Sequence, residues 1–288
     1  MSRIHEALTR AEQERQKSSA GLMSVEDDVR VGQQPVVPPL EAVSAVQACS
    51  ETPDNSYLPN RLEHCVKGNW NPDIRTMLFF KGHNDAPGQE EFRTLRSRLY
   101  QLGGVQPLKK VLVTSALPME GKTMVAANLA QVLASQHGQR ALLIDGDLRR
   151  PCLHKDLGTG PAPGLAEYLR GECDECAVLQ RGPLDNLFFI PAGQSSNNAA
   201  ELLASSRLQL LLTSLEPLFG WIIIDSAPAL SVSDAGLLAG LCDGVLLVVQ
   251  SGSTPFDLGK TLRREFPDRK LLGVVLNCAE SRPAYRRA

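Results

Sequence analysis

From about residue 90 onward the chain alternates short apolar runs with stretches whose apolar residues recur at helical spacing. The runs Lys110–Ser115, Ala141–Asp145, Leu187–Pro191, Trp221–Asp225, Gly244–Gln250 and Leu271–Asn277 have strand length and are largely apolar, as strands covered on both faces are. Between them, Val125–Ser135, Ala200–Leu215, Asp234–Leu241 and Phe256–Phe266 predict helices, with Pro217 stopping the second. Alternation of this kind predicts an α/β fold, a mostly parallel sheet flanked by helices on both faces.

The chain before residue 90 is patterned differently. Residues 2 to about 17 place Ile4, Leu8 and Ala11 on one side of a short amphipathic helix, which reads either as a solvated helix or as a docking peptide. From about Gly21 to Asp73, Pro, Ser, Val, Glu and Asn follow one another without sustained periodicity, as in a linker. The expected organisation is a helix and flexible linker over 1–78, one α/β domain over 79–281, and a basic tail over 282–288.

Composition narrows the choice of partners. A chain of 288 residues with 43% hydrophobic content can bury one substantial core. Thirty Lys and Arg against 32 Asp and Glu leave a formal charge of −2, so no global basic field points to nucleic acid, and none is expected as a partner. Seven cysteines (Cys49, Cys65, Cys152, Cys173, Cys176, Cys242 and Cys278) are odd in number and scattered, which predicts reduced thiols and no disulfides. The start lacks the features of a signal peptide, and no apolar run is long enough to span a bilayer. A cytoplasmic chain without a transmembrane segment of its own is therefore expected; if it works at the inner face of the plasma membrane, a partner chain must hold it there.

The chemistry is concentrated at three strand ends. The first strand runs into Ala116-Leu117-Pro118-Met119-Glu120-Gly121-Lys122-Thr123, followed by Met124 and a helix. That is a phosphate-binding loop in strand-loop-helix context, with Ala116 in place of the generic first glycine and Met119 where another is common. Loop N–H groups would face the phosphates of ATP, Lys122 would carry the charge toward the β/γ oxygens, and Thr123 would sit on Mg²⁺. The second strand ends in Asp145-Gly146-Asp147-Leu148-Arg149, two carboxylates where a ligand would lie. The third, Trp221-Ile222-Ile223-Ile224-Asp225, ends in an acid suited to the Mg²⁺ shell beside Thr123.

These three elements together resemble the bacterial tyrosine kinases of exopolysaccharide and capsule biosynthesis, P-loop proteins related to the MinD/ParA ATPases. The resemblance covers about residues 90–280. It implies a P-loop NTPase-like fold and an ATP- and Mg²⁺-dependent tyrosine autokinase working with a membrane polysaccharide co-polymerase on a separate chain. Leu117 stands where the MinD/ParA proteins have their signature lysine, which favours the kinase branch. Lys122, Asp145, Asp147 and Arg149 are then the catalytic candidates, and Thr123, Asp145 and Asp225 the metal candidates. Either Asp145 or Asp147 would be the base, and Arg149 would steady the acids or reach a phosphate. By the same resemblance Asn277 lies near the adenine, although an Asn at a strand end also suits a turn cap.

Upstream, Glu90, Arg93 and Arg96 share one stripe of a helix whose other side carries Phe92, Leu95 and Leu99. The stripe is similar to the family's assembly motif and implies a homo-oligomer; taken alone it is an ordinary solvated face. The tail holds a single tyrosine, Tyr285, where the family carries a cluster. Tyr285 is the autophosphorylation candidate. Its isolation keeps open a second reading, an ATP-switched assembly ATPase without kinase activity. Cys173 and Cys176 offer only two metal ligands and read as a surface turn rather than an iron–sulfur site.

Overall fold

The computed structural model describes residues 62, 65–73, 75–80, 88–266 and 271–279. The expected helix at residues 2 to 17, most of the linker, and the tail with Tyr285 lie outside them. The chain divides into Met1–Thr52, likewise outside, and Pro53–Ala288, the unit that holds every described residue.

Eight strands form one sheet: β1 (Val66–Lys67), β2 (Lys110–Ser115), β3 (Ala141–Asp145), β4 (Gln180–Arg181), β5 (Leu187–Ile190), β6 (Trp221–Asp225), β7 (Gly244–Gln250) and β8 (Leu271–Asn277). Their spatial order is β1-β4-β5-β3-β6-β2-β7-β8. Every pairing is parallel except β4 with β5. The helices are α1 (Gln89–Gly103), α2 (Lys122–Ala134), α3 (Leu153–Asp156), α4 (Leu165–Arg170), α5 (Glu175–Val178), α6 (Ala199–Leu203), α7 (Ser206–Leu215), α8 (Asp234–Leu241) and α9 (Phe256–Glu265). The single helix expected over 200–215 is two, because Ser205 turns to extended backbone between α6 and α7. Pro217 falls in the 3₁₀ turn Glu216–Leu218 that ends α7.

Strand side chains alternate between two cores, as the period of two requires. Leu112, Leu142, Ile144, Ile222, Ile224 and Leu247 pack under α4, α6, α7, α8 and α9. Val111, Val113, Leu143, Ile223, Leu246 and Val248 pack under α1, α2 and α3. Because the central strands are parallel, all of their C-terminal ends emerge on one edge, and the carboxylates sit there.

The C-terminal part of the expected linker belongs to this fold. β1 joins the sheet beside β4, and Trp70, Met77 and Phe80 are buried with α1 and α2. Asn128 of α2 fixes the segment by accepting from the Leu78 N–H at 2.8 Å and donating to the Thr76 carbonyl at 2.7 Å. Its few apolar residues are spaced without period, so their anchoring role leaves no local pattern. Among the described residues, no helix is long and apolar enough to cross a membrane.

Candidate active site

The loop between β2 and α2 is held from three sides. Glu120, 3% exposed, accepts the Leu117 N–H on Oε2 at 2.7 Å and the Thr254 hydroxyl on Oε1. The Glu120 carbonyl in turn accepts Nδ2 of Asn277 at 3.0 Å. Gly121 takes φ 91° directly under this amide, and a Cβ there would stand 2.1 Å from Asn277 Nδ2. Only glycine combines that backbone with that approach. Asn277 thus lies against the phosphate loop, and its bond is to loop backbone.

Lys122 and Thr123 open α2 and face the ends of β3 and β6. Lys122 Nζ is 3.3 Å from Asp147 Oδ2, 3.7 Å from Asp225 Oδ2 and 3.1 Å from Thr123 Oγ1. The Thr123 hydroxyl donates to Asp225 Oδ2 at 2.7 Å. Asp145 and Asp225 are register partners on adjacent parallel strands. Gly146 makes this closeness possible: its N–H donates to the Asp225 carbonyl at 2.9 Å, and a Cβ would meet that oxygen at 2.6 Å. Asp145 accepts the N–H groups of Asp147 at 3.2 Å and Leu153 at 3.3 Å. Asp147 Oδ1 accepts the Arg150 N–H at 3.0 Å, leaving Oδ2 toward Lys122.

Three buried carboxylates around one ammonium carry an excess of negative charge. Burial, reinforced by Asp225 and Asp147, holds Asp145 well above the usual carboxylate range. Burial also pushes Asp225 up to about 6, against the pull of Lys122 and Thr123. Burial alone would lower Lys122, but Asp225 and Asp147 outweigh it and raise it, so it remains an ammonium. Asp225 Oδ1 is buried with no well-formed hydrogen bond among the described residues. This combination fits a divalent cation. Among the described residues no group of three or more His, Cys, Asp or Glu is arranged to hold a metal by itself. A hard ion bound through one hydroxyl and one carboxylate, with phosphate oxygens and water completing its shell, matches that donor set.

No protein-family model matches the chain. Over 201 residues, 67% of the chain, it is 37% identical to the succinoglycan biosynthesis transport protein ExoP of Rhizobium meliloti, of which the match covers 25%. Over 190 residues it is 34% identical to the tyrosine-protein kinase YwqD of Bacillus subtilis, covering 65% of the chain and 80% of that protein. The fold is similar to the kinase domain of the Escherichia coli tyrosine kinase ETK, with a TM-score of 0.64 and 27% identity over 77% of the chain and 91% of that domain. The chain belongs to the bacterial tyrosine-kinase family of exopolysaccharide and capsule biosynthesis.

In this member of the family, the structure brings together Lys122, Thr123, Asp145, Asp147 and Asp225. Arg149 is directed elsewhere. Its guanidinium grips Asp234, fully buried at the start of α8, with bonds of 2.7 and 3.0 Å. Asp234 is an anchoring residue that the sequence pattern does not distinguish from a helix-capping acid. Cys152 also went unread: its sulfur lies 3.7 Å from the Thr123 hydroxyl. Burial, with the charge of Asp225 behind it, pushes the Cys152 thiol up to about 11, so it stays protonated there. Nothing in the spacing from Asp145 announces that thiol.

The α1 stripe is divided. Glu90 and Arg93 pair with each other on the surface, whereas Arg96 donates to the Val132 carbonyl at 3.0 Å near the C-terminus of α2. That placement favours a cation, because unpaired carbonyls and the helix dipole gather at such an end. Phe92 and Leu99 are buried and Leu95 is half-buried, as the pattern predicts. Cys173 is half-buried and Cys176 exposed, around the short α5 that Asp174 caps.

Proposed function

We propose that this kinase is an ATP- and Mg²⁺-dependent tyrosine autokinase that regulates exopolysaccharide or capsule synthesis. The observation that carries the reading is the convergence of Lys122, Thr123 and three carboxylates at the mouth of a phosphate loop. The loop N–H groups and Lys122 hold the phosphates and the charge that develops on the transferred group. Thr123 and Asp225 hold Mg²⁺, which when bound neutralises phosphate oxygens. The γ-phosphoryl passes from ATP to the tyrosine oxygen, ADP leaves, and a carboxylate accepts the hydroxyl proton. Asp147 is the better placed acceptor, because both oxygens of the fully buried Asp145 already receive backbone N–H groups.

Purified protein with Mg-ATP should accumulate phosphotyrosine, and Lys122→Met should not. ATP hydrolysis with no phosphotyrosine on any residue would refute the kinase reading and favour the assembly ATPase. The transport role named for ExoP supports a partnership with a membrane polysaccharide co-polymerase. Self-assembly through α1 is part of the proposal. With Arg96 engaged on α2, Glu90 and Arg93 carry the exposed part of the stripe. Glu90→Ala with Arg93→Ala should lower the mass measured by light scattering, and an unchanged mass would leave α1 a solvated face.

A further inference from the structure

The phosphate loop contains a residue that its backbone does not call for. Met119 sits at φ 69°, in the left-handed region, and its side chain is 92% exposed. Glycine adopts that conformation without penalty, whereas any L side chain there is strained. The neighbours explain why the strain cannot relax. Pro118 has a ring-fixed φ, and Glu120 is buried and tied to Leu117, Thr254 and, through its carbonyl, Asn277. With both flanks held, Met119 stays exposed to solvent on the loop that leads into Lys122, at the same edge of the sheet as the three buried carboxylates. Leu117, on the same loop, is 37% exposed. A strained, outward methionine next to a highly polar site is the kind of outlier from which a functional role can be inferred.

We propose that Met119, with Leu117 beside it, is a specificity-determining residue: an apolar rest for the ring of the acceptor tyrosine. The inference deepens the kinase reading and rests on it. An acceptor tyrosine has a polar tip and an apolar body. Its hydroxyl must reach the Asp147 and Lys122 side, while its ring occupies the mouth, where the other groups are charged. Methionine suits this task because its thioether is polarizable, adapts its shape and makes favourable contacts with aromatic rings. Serine and threonine acceptors would gain nothing from such a rim, so it selects for the aromatic alcohol.

The test measures phosphate transfer between molecules. The acceptor is the full chain carrying Lys122→Met, which retains all four tyrosines and phosphorylates none itself. The enzyme is the unaltered chain, Met119→Gly or Met119→Leu. Met119→Gly relieves the backbone and should raise KM for the acceptor chain roughly tenfold more than KM for ATP. Met119→Leu, which keeps an apolar side chain, should hold the acceptor KM within about twofold of the unaltered chain. Equal acceptor KM in the glycine variant, or parallel rises in both KM values, would overturn the proposal, as would a leucine variant no better than glycine. If the unaltered chain hydrolyses ATP but places no phosphate on the acceptor, the kinase reading itself fails and this inference falls with it.

Discussion

Each end of the sheet gathers lysines and acids, and the two gatherings differ in whether their charges balance. At the N-terminal edge, Lys110 Nζ lies 2.6 Å from Glu216 Oε2 and 3.6 Å from Asp243 Oδ1. Asp243 Oδ2 also accepts the N–H groups of Lys109 at 2.8 Å and Lys110 at 2.7 Å, and Lys109 Nζ donates to the Glu216 carbonyl at 3.0 Å. Two cations meet two anions, half-open to water beside a cavity of about 300 Å³. At the C-terminal edge, one buried ammonium faces three buried carboxylates, and an Asp225 oxygen lacks a well-formed bond. A satisfied network fastens loops, whereas an unsatisfied buried one is unfavourable until a ligand completes it. The charge balance separates the two ends.

The largest effect that can break this comparison comes from the two lysines. Lys122→Met should lower phosphoryl transfer by about 10²–10³ or more, since it removes the ammonium held against Asp147 and Asp225 at the start of α2. Lys110→Met should leave turnover within about twofold, because its partners are remote from the loop and only fasten surface segments. Steady-state kinetics on both variants would check this. Comparable losses in the two would mean that charge balance does not mark function here.

A second test concerns Asp225, fully buried and pushed up to about 6 from an ordinary value of 3.8. Below about pH 3.8 its carboxyl is protonated in both folded and unfolded chains and has no effect. Between 3.8 and about 6 the unfolded chain releases the proton while the folded one retains it, so stability falls as pH rises, and the loss is complete above about 6. That shift corresponds to a loss on the order of 2–3 kcal/mol in nucleotide-free protein. Asp225→Asn should therefore melt several degrees higher at pH 7.5 without ligand, with the advantage vanishing near pH 4. The same variant should lose most of the stabilisation that Mg-ATP confers on the unaltered chain. A variant that melts lower at pH 7.5, measured by calorimetry, would contradict an excess of buried charge.

What the sequence disclosed, and what it hid, divides along similar lines. The long buried strands were legible because their apolar runs end sharply in Ser115, Asp145 and Asp225, and parallel pairing then brings those ends to one edge. β1 and β4 were not, since two residues each leave no periodicity to read. Lys122 and the four groups around it, Thr123, Asp145, Asp147 and Asp225, were legible as strand and loop ends. The pairing of Arg149 with Asp234 was not legible because the two are 85 residues apart, and local spacing carries nothing about so distant a contact. Cys152 and the Asn128 anchor belong to the same class, being residues whose roles arise only through packing. Met119 was legible as an odd residue in a glycine position, but its outward direction depends on Glu120, Thr254 and Asn277 meeting behind it.

The smallest expected effect is the stability change at the balanced end, and it completes the contrast. Lys110 is raised above its ordinary value: burial works against the ammonium, but Glu216 and Asp243 outweigh it. A lysine with a raised folded value contributes stability that is fully present below its ordinary 10.5 and is lost only as pH climbs through the folded value. This end is accordingly silent between pH 4 and 8 through Lys110, the range in which Asp225 changes state. Removing the ammonium by Lys110→Met should lower stability by only about 0.5–1 kcal/mol, because the Glu216 side chain is 40% exposed and water screens the pair. Added salt should shrink the deficit further, since surface pairs are screened within about 10 Å at 0.1 M. Denaturant melts of the variant and the unaltered chain at pH 5, 7 and 8, each with and without 0.5 M NaCl, would measure it. A deficit well above 2 kcal/mol, or one that changes between pH 5 and 8, would show that Lys110 holds a buried charge imbalance of its own, and the two ends of the sheet would no longer differ in kind.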